Sequence, residues 1–246
     1  MTEHRPPTSP RLDHCPETLP ARAYHDPDWF AREQHTIWAR NWVAAGRVDD
    51  MAPGTMRTVT VGAASLVLCR SPDGALSAFH NVCRHRGAEL CPEGTHALGR
   101  LLSCRYHAWS YAATDGRLVA TGHACPTADF RKEDHGLLPV SVKVWNGFVL
   151  LNLSRDPGPL RPDVGLGYLD NWPMDTLKTG HRITRDLACN WKVFWENYNE
   201  CLHCPGIHPE LCDLVPVYGR GIMAANEAPG WTPASPPEAP LRAGAA

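Results

Sequence analysis

No apolar stretch of the 246-residue chain reaches the roughly 20 residues needed to cross a bilayer. The opening Met1-Thr-Glu-His-Arg-Pro-Pro lacks the apolar core that a secretion signal carries. A cytoplasmic location is therefore expected. Neither sign of charge dominates, since 24 Lys and Arg stand against 26 Asp and Glu for a net charge of -2. The basic residues are scattered, so no field favours nucleic acid or an anionic membrane surface, and neither is expected as a partner. No internal repeat is found. What the chain does hold in quantity is 10 cysteines and 13 histidines. In a reducing compartment that enrichment points to metal or redox chemistry before disulfides.

Residues 1–22 carry five prolines and no apolar period, and read as a flexible tail. Residues 23–50 read as a helical lead-in. Asp26 can cap a helix there and Pro27 suits its first turn, while Phe30, Ile37, Trp38 and Trp42 share one packing face. Residues 51–155 read as a small antiparallel β domain. Its strands include Thr58 to Val61, Leu66 to Cys69, Val140 to Trp145 and Phe148 to Leu153, and its turns are Ser71-Pro-Asp-Gly74, Asp115-Gly116 and Asn146-Gly147. A proline- and glycine-rich stretch from Asp156 to Gly167 opens a third region, 156–246. In it Arg182 to Ala188 reads as extended and Trp191 to Leu202 as a helix, with Trp191 and Phe194 expected in a core. The fold class is α+β.

The cysteines and histidines gather in two windows. In the first, Cys83-Arg-His85 precedes Cys104-Arg-Tyr-His107 by eighteen residues. Two thiolates and two imidazoles, one of each kind per loop, suit a [2Fe-2S] cluster in which one iron takes both sulfurs and the other both nitrogens. A structural zinc site is the rival, because two Cys and two His also complete a tetrahedron. Zinc motifs usually pair like with like, whereas both pairs here are mixed. Gly87 allows a tight turn of backbone amides around the site, and Trp109 can shield the histidine side. Cys91, His80 and His96 read as ordinary loop residues.

The stretches Asn81-Val-Cys-Arg-His-Arg-Gly-Ala-Glu89 and Cys104-Arg-Tyr-His-Ala-Trp109 resemble the Rieske domain of the ring-hydroxylating oxygenase family. Respiratory Rieske proteins tie their two loops with a disulfide. Ala88 and Tyr106 hold the corresponding positions here, so the resemblance implies the soluble oxygenase type without that brace.

In the second window His203 and His208 stand five apart near Pro205-Gly206. Two imidazoles there could fill two corners of a two-His, one-carboxylate iron site, although such a pair alone is a weak signal. The surrounding Asn190-Trp-Lys-Val-Phe-Trp-Glu-Asn-Tyr-Asn-Glu-Cys-Leu-His-Cys-Pro-Gly-Ile-His-Pro-Glu210 resembles the same family's catalytic helix. That resemblance implies mononuclear Fe(II) on the two histidines, with Glu200 linking cluster and iron through hydrogen bonds. Glutamate at that position is similar to the branch acting on betaines, choline and carnitine. Cys201, Cys204 and Cys212 fit no metal spacing and read as small buried side chains.

The family's third iron ligand is an aspartate far downstream, in a larger α+β catalytic domain. None of Glu210, Asp213, Glu227 and Glu238 sits in a matching motif. The chain therefore reads as an N-terminal helix, a Rieske domain and an incomplete catalytic domain, from a longer protein or a truncated paralogue without turnover of its own. The resemblance implies an oxygenase terminal component that hydroxylates or N-demethylates a small molecule with O2. It also implies electrons from an NAD(P)H-dependent reductase, and a homotrimer when full length. The alternatives are a Rieske electron carrier and a non-catalytic truncated paralogue.

Overall fold

The computed structural model describes His14 and residues 17–160, 172–200 and 202–220. The described residues form two compact units, those within Ala31–Ile183 and those within Met1–Phe30 and Thr184–Glu238. Most of the expected tail, the later part of the proline-rich stretch, Cys201, and everything after residue 220, including Glu227 and Glu238, lie outside the described residues. No helix among the described residues is long and apolar enough to cross a membrane.

The start of the lead-in folds as the sequence directs, but the helical part ends at Trp38. Val43–Arg47 joins the sheet as a strand because its backbone pairs with residues 148–151, and Phe30 is 48% exposed and not on a packed face. After α1 (Arg22–His25), Oδ1 of Asp26 accepts from the amides of Asp28 at 2.8 Å and Trp29 at 3.3 Å. It thereby caps α2 (Pro27–Glu33), which starts on its proline and continues as a π-helical turn over Gln34–Trp38.

Among the described residues, ten strands follow in the first unit. β1 (Val43–Arg47), β2 (Thr55–Val61), β3 (Ala64–Arg70), β4 (Leu76–His80), β5 (Thr95–Ala97), β9 (Pro139–Trp145) and β10 (Phe148–Asn152) form one antiparallel sheet in the order β1-β10-β9-β4-β3-β2-β5. β6 (Leu101–Ser103), β7 (Trp109–Ala112) and β8 (Leu118–Thr121) form a second. Asn146 and Gly147 both take left-handed φ, 49° and 78°, which is the primed hairpin turn that matches strand twist and joins β9 to β10.

Central strand β3 is buried on both faces, and its two-residue period sorts it between two cores. Leu66 and Leu68 pack with Met51, Val61, Ala78, Val140, Val149 and Leu151. Val67 and Cys69 point the other way, into a core that also holds Cys83, Leu90, Cys91, Leu102, Cys104, Trp109 and Tyr111. Each such aliphatic chain contributes about 1.5–3 kcal/mol of burial. Of the three residues read as loop residues, Cys91 does lie in a loop but is fully buried in the second core, while His80 ends β4 and His96 lies in β5. Burial pushes the Cys69 thiol up to about 12, with the nearby Cys91 adding to it, so this side chain is an inert packing group.

Asp50 ties the segment after residue 172 to this unit. Its carboxylate accepts from the Arg47 amide at 2.9 Å, the Thr179 hydroxyl at 2.8 Å and the Arg182 guanidinium at 2.7 Å. Burial alone would raise its pKa, but these donors outweigh burial and hold it at about 2.

In the other unit, α3 (Trp191–Tyr198) is capped by Asn190, whose Oδ1 accepts from the Lys192 amide at 3.0 Å. Tyr24 fastens α1 to it: its hydroxyl donates to Glu196 at 2.6 Å and its carbonyl accepts from Asn190 Nδ2 at 3.1 Å. Two short helices follow, α4 (Cys204–Ile207) and α5 (Pro209–Leu214). Three expectations need correction. The helix stops at Tyr198, where the Asn199 amide closes the last turn on the Trp195 carbonyl at 2.9 Å, well short of Leu202. Arg182 to Ala188 forms no strand, and its Ile183 and Leu187 are exposed. Trp191 is only half-buried, and Phe194, Trp195 and Tyr198 are 43%, 46% and 68% exposed, so among the described residues these rings do not form a core. Cys204 is buried as expected, whereas Cys212 is only partly so.

Candidate metal centres

Two loops of the first unit are built alike. The Cys83 amide donates to the Ala88 carbonyl at 2.8 Å and the Gly87 amide to the Cys83 carbonyl at 2.9 Å. The Cys104 amide likewise donates to Trp109 at 2.8 Å and the Ala108 amide to Cys104 at 2.9 Å. The fifth residue of each loop must take positive φ. Gly87 does so at 73° without strain, while Ala108 adopts 57° despite its Cβ. Gly122, just past β8, lets the second loop close, because a Cβ there would lie 2.2 Å from the His107 carbonyl oxygen.

These loops bring together Cys83, His85, Cys104 and His107. Both thiols are buried. The imidazoles meet edge to face, 4.7 Å between centroids. Trp109, 7% exposed, stacks flat on His85 at 4.8 Å, and the exposed ring of Tyr106 lies 3.8 Å from that of His107. Desolvation, followed by the neighbouring His107 and Arg86, holds the His85 pKa below its ordinary value and keeps that ring neutral.

Nδ1 of His107 is buried with no hydrogen-bond partner. A buried, orphaned imidazole nitrogen beside two buried thiols and a second imidazole fits a metal group that takes two sulfur and two nitrogen ligands. Among the described residues no group of three or more His, Cys, Asp or Glu converges as around a single ion.

Other residues hold this arrangement in place of a disulfide. Tyr111, wholly buried on β7, accepts from the Arg84 amide at 3.0 Å and sits 3.2 Å from Cys83 Sγ, joining the strand after the second loop to the first. Burial, then the contact with Cys83, raises its pKa, so the phenol keeps its proton and can donate to the sulfur. Asn81 Oδ1 accepts from the amides of Leu90 and Cys91, at 3.2 and 2.8 Å, and its Nδ2 donates to the Cys91 carbonyl at 2.7 Å, pinning both ends of the first loop. The sequence carried no signal for Tyr111 or Gly122, whose partners Cys83 and His107 lie 28 and 15 residues away; Ala108 stood in a quoted motif, but nothing marked its backbone.

A hydrogen bond to a cluster sulfur stabilises the more negative, reduced state by about 1 kcal/mol, which for one electron is on the order of 40 mV. Tyr111→Phe is therefore expected to lower the midpoint potential by roughly that amount. A redox titration followed by visible circular dichroism checks this, and an unshifted potential refutes it.

The second centre lies in the other unit. Glu200 sits just past the end of α3, and its Oε1 bonds Nδ1 of His203 while Oε2 accepts from the Leu202 amide at 2.5 Å. The bond to His203 comes first among the causes that hold the Glu200 carboxyl below its usual range. An ionised Glu200 on Nδ1 puts the imidazole proton there and leaves Nε2 free as a ligand. The His203 and His208 rings are 5.4 Å apart and, with Glu200, Asn197, Tyr198, Cys204, Leu211 and Tyr218, line a cavity of about 440 Å³. Two imidazoles suit iron(II) but leave a carboxylate to be supplied. Glu210 and Asp213, on α5, are not among the cavity's lining residues.

Comparison with known proteins places both regions. The family described as Rieske [2Fe-2S] domain matches residues 41–133, and that described as ring hydroxylating alpha subunit (catalytic domain) matches residues 174–235. The glycine betaine monooxygenase oxygenase subunit of Chromohalobacter salexigens is 36% identical over 204 residues, 82% of this chain and 45% of the relative. The carnitine monooxygenase oxygenase subunit of Escherichia coli K12 is 33% identical over 205 residues, 81% of this chain and 54% of the relative. A crystal structure of a quaternary ammonium Rieske monooxygenase with L-carnitine superposes with a TM-score of 0.73 at 30% identity, covering 80% of this chain and 57% of that one. The chain thus spans about half the length of the curated relatives it matches. It joins a Rieske [2Fe-2S] domain to part of the catalytic domain of a ring-hydroxylating alpha subunit.

Proposed function

We propose that this chain is the cluster-bearing and iron-binding part of an oxygenase terminal component acting on a quaternary ammonium compound. The observation that carries the reading is the pair of like-built loops that bring two buried thiols and two imidazoles together, one of them with an orphaned Nδ1. Cys83 and Cys104 would hold one iron of the cluster, His85 and His107 the other, and His203 and His208 the mononuclear iron, together with a carboxylate from beyond the described residues. When bound, the cluster supplies single electrons and the mononuclear iron a place for dioxygen. Tyr111 donates to Cys83 Sγ, Trp109 keeps water off the His85 ring, and Glu200 holds the His203 proton on Nδ1.

The substrate class rests on Glu200 with its flanking sequence and on relatives named for glycine betaine and carnitine. Such a cation is held by aromatic faces. The electron donor in this reading is an NAD(P)H-dependent reductase, the assembly a homotrimer and the location cytoplasmic.

Metal analysis tests the reading. Anaerobically prepared protein is expected to hold two irons and two sulfides in the first unit, and a third iron in a chain extended to the length of its relatives. Two irons at full length would favour a carrier or a non-catalytic paralogue; zinc without sulfide would end the proposal. Oxygen uptake with an aromatic acceptor but not with betaine, choline or carnitine would remove the substrate class alone.

A further inference from the structure

The Rieske unit contains a run of rings in contact, from a proposed cluster ligand to the surface. His85 lies flat on Trp109 at 4.8 Å and 7°. Two further rings meet Trp109 edge-on, Phe130 at 5.9 Å and His135 at 5.9 Å, and these two stack on each other at 4.5 Å and 7°. Trp109 is buried, while Phe130 and His135 are only half-buried and so present their outer edges to solvent. The segment carrying the outer pair is fixed. The Phe130 amide donates to Thr127 at 3.1 Å, Lys132 reaches the Val119 carbonyl at 2.8 Å, and a 3₁₀ turn over Lys132–His135 closes on Arg131. Packing alone does not call for a histidine at the rim of such a run, and neither the proposed ligand role of His107 nor the hydrogen bond of Glu200 to His203 makes use of it.

We propose that the Phe130–His135 pair is the port through which electrons reach the cluster from a docked one-electron iron-sulfur carrier, with Trp109 as the coupling medium. The inference rests on the cluster assignment above. One electron leaves the carrier's reduced [2Fe-2S] centre and converts one ferric iron of the acceptor cluster to ferrous. The carrier is oxidised by one electron, no atom moves, and no ring is itself oxidised. Electronic coupling falls steeply with each gap that lacks intervening atoms, so a continuous run of rings in stacked and edge-on contact that ends at the surface favours this approach over one across solvent. The charges fit an acidic carrier face. Arg84, Arg86 and Arg105 are exposed on the ligand loops, whereas Arg131 is neutralised locally by Glu133 and Asp134.

The test compares two reductants on purified, cluster-loaded protein by stopped-flow absorbance: a photoreduced plant-type [2Fe-2S] ferredoxin, and dithionite, which is small enough to reach either histidine edge. The double variant Phe130→Leu, His135→Leu keeps the apolar cover and removes the rings. Its reduction by ferredoxin is expected to slow at least tenfold, with the dithionite rate, the midpoint potential and the electron paramagnetic resonance spectrum unchanged. His135→Phe alone, which keeps a ring at that position, is expected to keep the wild-type rate. Unchanged ferredoxin reduction in the double variant would overturn the port. So would equal slowing with both reductants or a shifted potential, which would make the pair a support of the cluster, and so would a wild-type cluster that dithionite reduces and ferredoxin does not. Wild-type protein lacking iron and sulfide would instead refute the cluster assignment itself.

Discussion

Cys83→Ser and His107→Ala are each expected to yield colourless protein without cluster iron or inorganic sulfide, against two of each in the parent. Serine presents an oxygen that stays protonated where the thiol is readily ionised by a metal, and alanine removes the imidazole altogether, so either change leaves one iron a ligand short. The loss should be close to complete. Ligands on two separate loops bind together or not at all, because each loop is ordered partly by the group it holds. The sheet should survive, since its other core, built on Leu66, Leu68, Val149 and Leu151, touches neither loop. Iron and sulfide assays with far-ultraviolet circular dichroism separate the two effects. His203→Ala, in the other unit, should leave the colour intact. Retention of both irons and both sulfides by Cys83→Ser would remove that residue from the ligand set.

The parts of this structure legible in the sequence are those decided within a few residues. Asp26 and Pro27 announce a helix start because a cap and its amides lie two and three positions apart. Asn146-Gly147 announces a hairpin because only such residues take two left-handed φ values in succession. The spacing of Cys83, His85, Cys104 and His107 is similarly local. What was not legible depends on register between distant strands. Tyr111 reaches Cys83 only because β7 runs beside the first loop, and Gly122 matters only because the strand pairing that sets Trp109 opposite Thr121 carries it to the His107 carbonyl. Ala108 went against its residue type, since its left-handed φ is imposed by the loop and not by the side chain. Trp191 and Phe194 show the opposite error. Periodicity correctly gave a helix, but it identifies a shared face and says nothing about what covers that face.

Glu200→Gln is expected to slow electron passage from the reduced cluster to the mononuclear iron at least tenfold, with both metals retained, in a chain extended to the length of its relatives. The glutamine amide matches the carboxylate in shape and can still accept from the Leu202 amide, so the turn after α3 should persist. What it lacks is the charge. An ionised carboxylate on Nδ1 fixes the proton there and leaves Nε2 to the metal, whereas a neutral amide offers both a donor and an acceptor and sets no preference between tautomers. The lowered pKa of Glu200 means that the charged form prevails down to pH values below the ordinary glutamate range. The parent rate should therefore be flat with pH through neutrality and fall only as the medium becomes acidic enough to protonate this group. The variant should show no such acid limb. Its slow rate should also persist at every pH, because the missing charge cannot be restored by titration. Single-turnover kinetics with dithionite-reduced protein and substrate, alongside iron content, distinguish the roles. Unchanged kinetics would leave Glu200 a solvated carboxylate that merely closes a turn, and loss of the third iron would make it a ligand.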